Sequence, residues 1–399
     1  GPIALWYYLP MLPGQAFMRS TTNPCLAQVM SHHFAVSPPS GALPNDAPVQ
    51  PAVTSIVAAM ERRPGRSSLP HPIDRITERI LTVELEDMVA CPRCRSRLAL
   101  ADRRWVCTNP ACAFARDGFP TAAGQPVLVD FDNSVFRRAD YQDCSNAPVA
   151  ATGSEAAGGA GLGDRLRLFV FGDNRVAGAK STEMLNLLKQ RASRPRLLVI
   201  GGWNPGEGTE TFLNDPSIDV VATGAAPTRI TSLLADPHSL PFHDEAFDGV
   251  WIQATLEHVL EPHRVIDETH RVLKPSGVIY AENLFIMGVH EGPRDFVRYT
   301  QSGHRWLFRH FDPIEIAPLG GAGWALLWSI RYFWRAFGLP DKAVTLLTAP
   351  FFWLRYCDRL MRRRDSADAA IGFYFVGQKS ERLLGHQEIV AYYEAQQAA

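Results

Sequence analysis

Short apolar runs alternate with amphipathic stretches through the second half of the chain, whereas residues 1–72 show no sustained period. Lys180 to Arg191 and Glu207 to Leu213 carry helical spacing, and Arg196 to Ile200 is a continuous apolar run of strand length. Further strands are expected at 218–222, 231–235, 247–252 and 277–282, with a helix over 262–273. A last strand, Gly372 to Val376, follows a long aromatic stretch. Buried strands separated by helices predict an α/β fold, a doubly wound and mostly parallel sheet.

The first half divides by composition. Residues 1–72 are rich in Pro, Ser and Ala and are expected to be largely disordered or a non-native leader. The run Ile3 to Met18 has no basic flank and contains two prolines, so it suits neither a membrane span nor a signal peptide. Residues 73–88 suit a short helix or a strand. A compact unit is expected over 86–132, a small-residue linker over 133–164, and the α/β domain over 165–399 with a helical insertion at 319–363.

The overall balance is that of an ordinary soluble protein, with 46% hydrophobic residues, 20% charged residues and a formal net charge of -1. No global field attracts nucleic acid or anionic lipid, which disfavours a protein that grips RNA by charge alone. The pattern implies a cytoplasmic location, with membrane association left open by the aromatic stretch.

Seven cysteines occur, and four form one cluster: Cys91 and Cys94, then Cys107 and Cys112. Two close pairs of thiolates on two turns supply the soft ligands of a closed, structural zinc site, and a unit this small needs such a metal to fold. CPRCRSRLAL, WVCTNPAC and the following DGFPTAAGQPVLVDF resemble the small zinc-ribbon activator subunit of tRNA, rRNA and release-factor methyltransferases. That resemblance covers about residues 88–132 and implies a module that stabilises a methyltransferase without doing chemistry.

After the apolar strand come Gly201-Gly202-Trp203-Asn204-Pro205-Gly206-Glu207-Gly208. Glycines between strand and helix let the backbone turn tightly and approach a ligand. Downstream stand Asp236-Pro237-His238-Ser239-Leu240-Pro241-Phe242, Phe247-Asp248-Gly249-Val250, Leu256-Glu257-His258-Val259 and Arg271-Val272-Leu273-Lys274-Pro275. This ordered set resembles class I methyltransferases of the type 11 group, which implies a seven-stranded Rossmann-like sheet and S-adenosylmethionine as cofactor. By that resemblance Gly201, Gly202, Gly206 and Gly208 line the methionine and ribose portion. Asp236 accepts from the adenine amino group, and Gln253 sits where substrate and methyl donor meet. Two departures stand out: Val199 replaces an acid at the end of the first strand, and Thr223-Gly224 replace the ribose-binding acid after the second. Loss of that charged partner would cost roughly 1.5–3 kcal/mol of cofactor binding.

The loop Val289-His290-Glu291-Gly292-Pro293-Arg294-Asp295-Phe296 resembles one uncharacterised bacterial branch of this group. His290 is the expected general base, since an unperturbed imidazole titrates near 6.5, with Glu291 or Asp295 to orient it. Glu257 and His258 are a second acid–base candidate, or they pack the following helix. Segment 319–361 mixes Trp, Phe and Leu with arginine. It suits interfacial helices that touch lipid, a lid over an apolar acceptor, or a helical pair packed on the sheet. The expected activity is methyl transfer to an O or N atom of a small-molecule, glycan or lipid-linked acceptor. Methylation of rRNA or tRNA, or a degenerate non-catalytic scaffold, are the alternatives.

Overall fold

The computed structural model describes residues 85–102, 104–142, 162–201, 208–290 and 292–398. The expected leader at 1–72, most of 73–88, and Gly202, Gly206, Glu207 and Glu291 lie outside these residues. The centre is a seven-stranded sheet in the order β10-β11-β9-β8-β5-β6-β7. Its strands are β5 (Arg196–Ile200), β6 (Asp219–Gly224), β7 (Leu233–Leu234), β8 (Phe247–Ile252), β9 (Leu273–Leu284), β10 (Phe311–Gly320) and β11 (Gly372–Lys379). β5 to β9 pair in parallel, and β11 runs antiparallel to both β9 and β10.

Burial on both faces explains the continuous apolar runs of β5 and β8. Leu197 and Val199 join one core with Met184, Leu188, Val220 and Trp251, while Leu198 and Ile200 join another with Val250, Ile252, Val265 and Ile266. Helix α2 (Arg175–Arg191) covers the first face. It buries Ala177, Ser181, Met184, Leu185 and Leu188 at helical spacing, and the Asn174 side chain caps it by accepting from Ala177 N. Helix α4 (Pro262–Val272) covers the second, with Pro262 pre-set for its first turn. Helix α1 (Leu162–Phe171) precedes α2, and the short α3 (Thr209–Asn214) opens the β5–β6 crossover.

β10 did not stand out in the hydrophobic pattern. It holds Pro313 and Pro318, and its register slips beside each. A proline donates nothing to a ladder, so it is tolerated here because β10 is the outermost strand. α5 (Gln301–Leu307) leads into it. Residues 319 and 320, expected to open the insertion, finish this strand. Helices α6 (Ala322–Arg335) and α7 (Asp341–Thr348) and three shorter turns follow before β11, and α8 (His386–Ala398) ends the chain.

The four-cysteine unit is not tethered loosely. Its hairpin, β1 (Leu98–Ala101) with β2 (Arg104–Cys107), rests on the α4 side of the sheet. Trp105, Phe114, Phe119 and Leu128 share one apolar core with Leu233, Leu240, Phe242 and Phe247. Backbone pairing seals the junction: Ala90 N donates to Pro241 O at 2.9 Å, His243 N to Met88 O at 2.9 Å, and Leu128 N to Leu234 O at 2.8 Å. A minor hairpin, β3 (Thr121–Ala122) with β4 (Gln125–Pro126), sits between these anchors.

Candidate functional site

The chain leaves β5 for β6 and β7 on one side, then crosses to β8 and β9 on the other. The strand order therefore reverses between β5 and β8, and in open α/β sheets ligands bind beyond the carboxyl ends of the strands at such a point. Gly201 stands there with φ +85°, and a Cβ on it would collide with the Thr255 hydroxyl. That hydroxyl reaches Ile200 O of β5 at 3.3 Å and Gln253 O at 2.9 Å, so the ends of β5 and β8 are held in contact. Gly208 (φ +90°) approaches α2 so closely that a Cβ would lie 2.6 Å from Ala177 O. Both glycines are required by backbone geometry.

Gln253 follows β8 with its side-chain oxygen 3.3 Å from Trp251 Nε1. The next residue, Ala254, has φ +46°, a strained value for a residue with a Cβ and one that concentrates at functional sites. Asp236 follows β7 and is buried. Its Oδ1 accepts from His238 N at 2.9 Å and contacts His238 Nδ1 at 2.7 Å, while Oδ2 accepts from the Ser134 hydroxyl. Burial opposes ionisation, but these bonds outweigh it and hold the carboxyl below its usual range. Beside it, a cavity of about 190 Å³ opens between the cysteine unit and α4, lined by Pro92, Arg95, Asn133, Ser239 and Arg264. The stretch after β6, Ala225-Ala226-Pro227-Thr228, holds no acid of its own. There Ala225 O instead accepts from Tyr141 Oη at 2.9 Å.

On the other side of the switch point a second group gathers. His290 Nδ1 lies 3.2 Å from Asp295 Oδ2, and His290 N donates to the same oxygen at 3.0 Å. Arg298 grips Asp295 with both terminal nitrogens and also donates to Met287 O and Gly288 O. Despite burial, Arg298 and His290 hold the Asp295 carboxyl far below the usual carboxylate range. A carboxylate so pinned orients an imidazole and is a poor proton acceptor itself. The His258 ring centre is 5.0 Å from that of His290, and His258 Nδ1 lies 2.7 Å from Arg294 O. One side-chain donor atom each from Glu257, His258 and His290 falls within 4.8 Å of the others. Glu257 Oε2 and both amide atoms of Asn283, at the ends of β8 and β9, are buried without a hydrogen-bond partner among the described residues. Such groups are satisfied by a ligand or ordered water. Tyr332 of α6 walls this side: a Cβ on Gly288 would sit 2.8 Å from its ring.

The structure thus brings His290 and Asp295 together and sets Gly201 against Thr255 beside Gln253, while Gly208 abuts α2 and Asp236 stands at the end of β7. Sequence reasoning placed Asn283 at the start of the acceptor segment but missed Ser134 and Tyr332, which act through long-range contacts. It also missed Arg298, whose spacing three residues after Asp295 was a readable signal.

On the α4 side of the sheet, Cys91, Cys94, Cys107 and Cys112 bring all four Sγ atoms within 4.8 Å of one another. The Cys91–Cys112 pair is 3.8 Å apart and the Cys94–Cys107 pair 3.4 Å. A tetrahedron with metal–sulfur bonds of about 2.3 Å has edges of about 3.8 Å, so the donor set fits zinc. Burial raises the Cys91 thiol and pushes Cys107 up to about 11, so without a cation both favour the protonated form. Arg95, just after the first pair, holds φ +62°, which folds the backbone back so that Cys91 N reaches Ser96 O.

Residues 158–281 match a family model described as a methyltransferase domain. A demethylmenaquinone methyltransferase of Clavibacter sepedonicus is 46% identical over 55 residues, 14% of this chain and 22% of that protein. One from Mycolicibacterium paratuberculosis is 28% identical over 134 residues, 28% of this chain and 56% of that protein. The chain therefore spans less than two thirds of either relative. Among solved structures, a Haemonchus contortus phosphoethanolamine N-methyltransferase is 14% identical with a TM-score of 0.37, covering 54% of this chain and 57% of that one. Among the described residues no helix is long and apolar enough to cross a membrane. Residues 158–281 thus match a methyltransferase domain, and the seven-stranded, mostly parallel sheet has the Rossmann-like fold of class I, S-adenosylmethionine-dependent methyltransferases.

Proposed function

We propose that this chain transfers a methyl group from S-adenosylmethionine to an O or N atom of a small-molecule acceptor. The observation that carries the reading is the coincidence of the matched segment, 158–281, with the parallel half of the sheet and its switch point. Gly201 and Gly208 would hold the methionine end of the cofactor beyond the ends of β5 to β8, and Gln253 would stand beside the methyl to be transferred. Asp236 takes the adenine amino group. A carboxylate offers about four lone-pair directions, and His238 and Ser134 use three, so one remains on Oδ2.

The acceptor enters from the His290 flank. His290, aimed by Asp295, receives the acceptor proton as the nucleophile meets the methyl carbon, and Asn283 and Glu257 supply polar contacts for the acceptor. Most of the acceleration comes from aligning nucleophile, methyl and sulfur, with proton removal secondary. The aromatic wall from α6 favours an acceptor with a large apolar part, lipid-linked molecules included. Zinc at the four cysteines is structural: four protein ligands leave no open position.

The test has two stages. Calorimetry with S-adenosylmethionine reads the cofactor site alone. Mass spectrometry of extracts incubated with isotopically labelled cofactor, with and without the protein, then identifies the acceptor. No binding at millimolar cofactor would sink the enzymatic reading in favour of a scaffold.

A further inference from the structure

The insertion between β10 and β11 has a surface that neither the sheet nor the proposed site uses. Phe333 (57% exposed), Phe337 (65%), Leu346 (65%), Trp353 (51%) and Leu360 (87%) all project into solvent. Soluble monomers rarely leave so many large apolar side chains exposed in one short stretch. Exposed Leu168 and Phe169 of α1 extend the face, and Phe169 packs on Phe352 at 4.8 Å between ring centres.

Charge decides what this face meets. Residues 322–364 contain eight Arg and Lys against two Asp, a net +6 in a chain whose total is -1. Both acids are turned inward. Asp341 pairs with the buried Arg331 at 3.2 Å, and Asp358 accepts from Gly321 N and Gly323 N to cap α6. Lys342, Arg359 and Arg362 remain exposed among the aromatic residues. Arg335 lies over Tyr332 and Arg355 over Tyr356, at 5.2 and 4.7 Å from the ring centres, so their charged heads stay at the level of the rings. Aromatic and aliphatic side chains ringed by exposed cations match the headgroup–acyl boundary of an anionic bilayer.

We infer that the 322–362 face docks on an anionic membrane surface, without crossing it, and presents the acceptor flank to that surface. The link to the site is α6 itself: it exposes Phe333 to solvent, while Tyr332, one position earlier, lies on Gly288 beside the His290 loop. The use of docking, delivery of a membrane-borne acceptor, rests on the function proposed above; the docking does not.

The experiment is co-sedimentation of the full chain with phosphatidylcholine vesicles, with and without phosphatidylserine, followed by calorimetry with S-adenosylmethionine on the same samples. The chain should pellet with phosphatidylserine vesicles and be released by salt. Arg359→Gln with Arg362→Gln should lower partitioning about thirty-fold, from roughly five-fold per basic side chain. Phe333→Ser with Phe337→Ser should abolish it while leaving the unfolding midpoint and cofactor binding unchanged, since both side chains are exposed. A protein that stays in the supernatant overturns the inference. So does sedimentation indifferent to lipid charge, or a dimer in sedimentation velocity that buries these aromatics and ignores vesicles. Because cofactor binding is read separately, failure of docking and failure of the methyltransferase reading are distinguishable.

Discussion

His304 sits in α5 with no exposed surface, packed against Phe308 and Phe373 at ring-centre distances of 5.1 and 5.8 Å. Neither ring nitrogen has a hydrogen-bond partner among the described residues. Burial, with a smaller push from Arg305, lowers its pKa to about 3. An unfolded histidine titrates near 6.5, so between these values the unfolded chain binds a proton that the folded chain refuses. The neutral ring's contribution is intact above about pH 6.5 and is lost as pH falls, by roughly 2 kcal/mol at pH 5 and roughly 4 kcal/mol at pH 3. His304→Phe keeps the ring, removes both unpaired nitrogens and should be at least as stable as the parent at neutral pH. The assay compares urea midpoints of parent and variant at about pH 7.5 and about pH 5; the carboxylates titrate in both proteins and cancel in the difference. The parent should lose roughly 2 kcal/mol more than the variant. Equal losses would show that the site hydrates or opens before it protonates, and would refute the reasoning.

Four further outcomes follow from the site. Asp236→Ala removes a charge-assisted contact of roughly 1.5–3 kcal/mol and should raise the S-adenosylmethionine dissociation constant about ten- to hundred-fold by calorimetry. Once an acceptor is known, His290→Ala should lower kcat by about a hundred-fold or more. Asp295→Asn should lower kcat and reshape its pH profile with little change in cofactor affinity; an unchanged profile would assign Asp295 to loop structure alone. Gly201→Ala drives a methyl into Thr255 in a left-handed conformation, and should lower both the unfolding midpoint and cofactor affinity.

The parallel half of the sheet was legible because each of its longer strands is buried on both faces and reads as an unbroken apolar run. β10 was not, because its prolines and half-exposed residues suit an edge position that only the finished sheet defines. The glycines of the switch point were legible by type, but the need for Gly201 arises from Thr255, more than fifty residues on. Sequence named His290 and Asp295 together. It did not show that Arg298 binds both carboxylate oxygens and so fixes the carboxylate that was expected to orient His290. Four cysteines announced a metal site. They did not announce that the surrounding apolar residues belong to the same core as Leu240 and Phe242.

That shared core has a consequence at the cofactor end. The stretch after the cysteine unit runs along the ends of β6 and β7. Gln125 Nε2 donates to Thr228 O at 2.6 Å, Ser134 bonds Asp236, and Tyr141 Oη donates to Ala225 O. Phe136 then reaches across to the Arg294 guanidinium, 5.8 Å from its ring centre. A wall here stands where the missing ribose acid would have acted, and it is held in place by a module whose folding we assign to zinc. Chelation should therefore weaken S-adenosylmethionine binding although the cysteines themselves are assigned to the metal. Ser134→Ala isolates one contact of that wall and should cost a few-fold in affinity, near the lower end of a single hydrogen bond. Metal analysis of protein purified without a metal-affinity step should give one zinc per chain, and calorimetry before and after chelation then measures the coupling. If chelated protein that still unfolds cooperatively binds the cofactor as tightly as before, the wall is a bystander and the ribbon serves stability alone. If it binds more tightly, the segment occupies the adenosine site and restrains the enzyme.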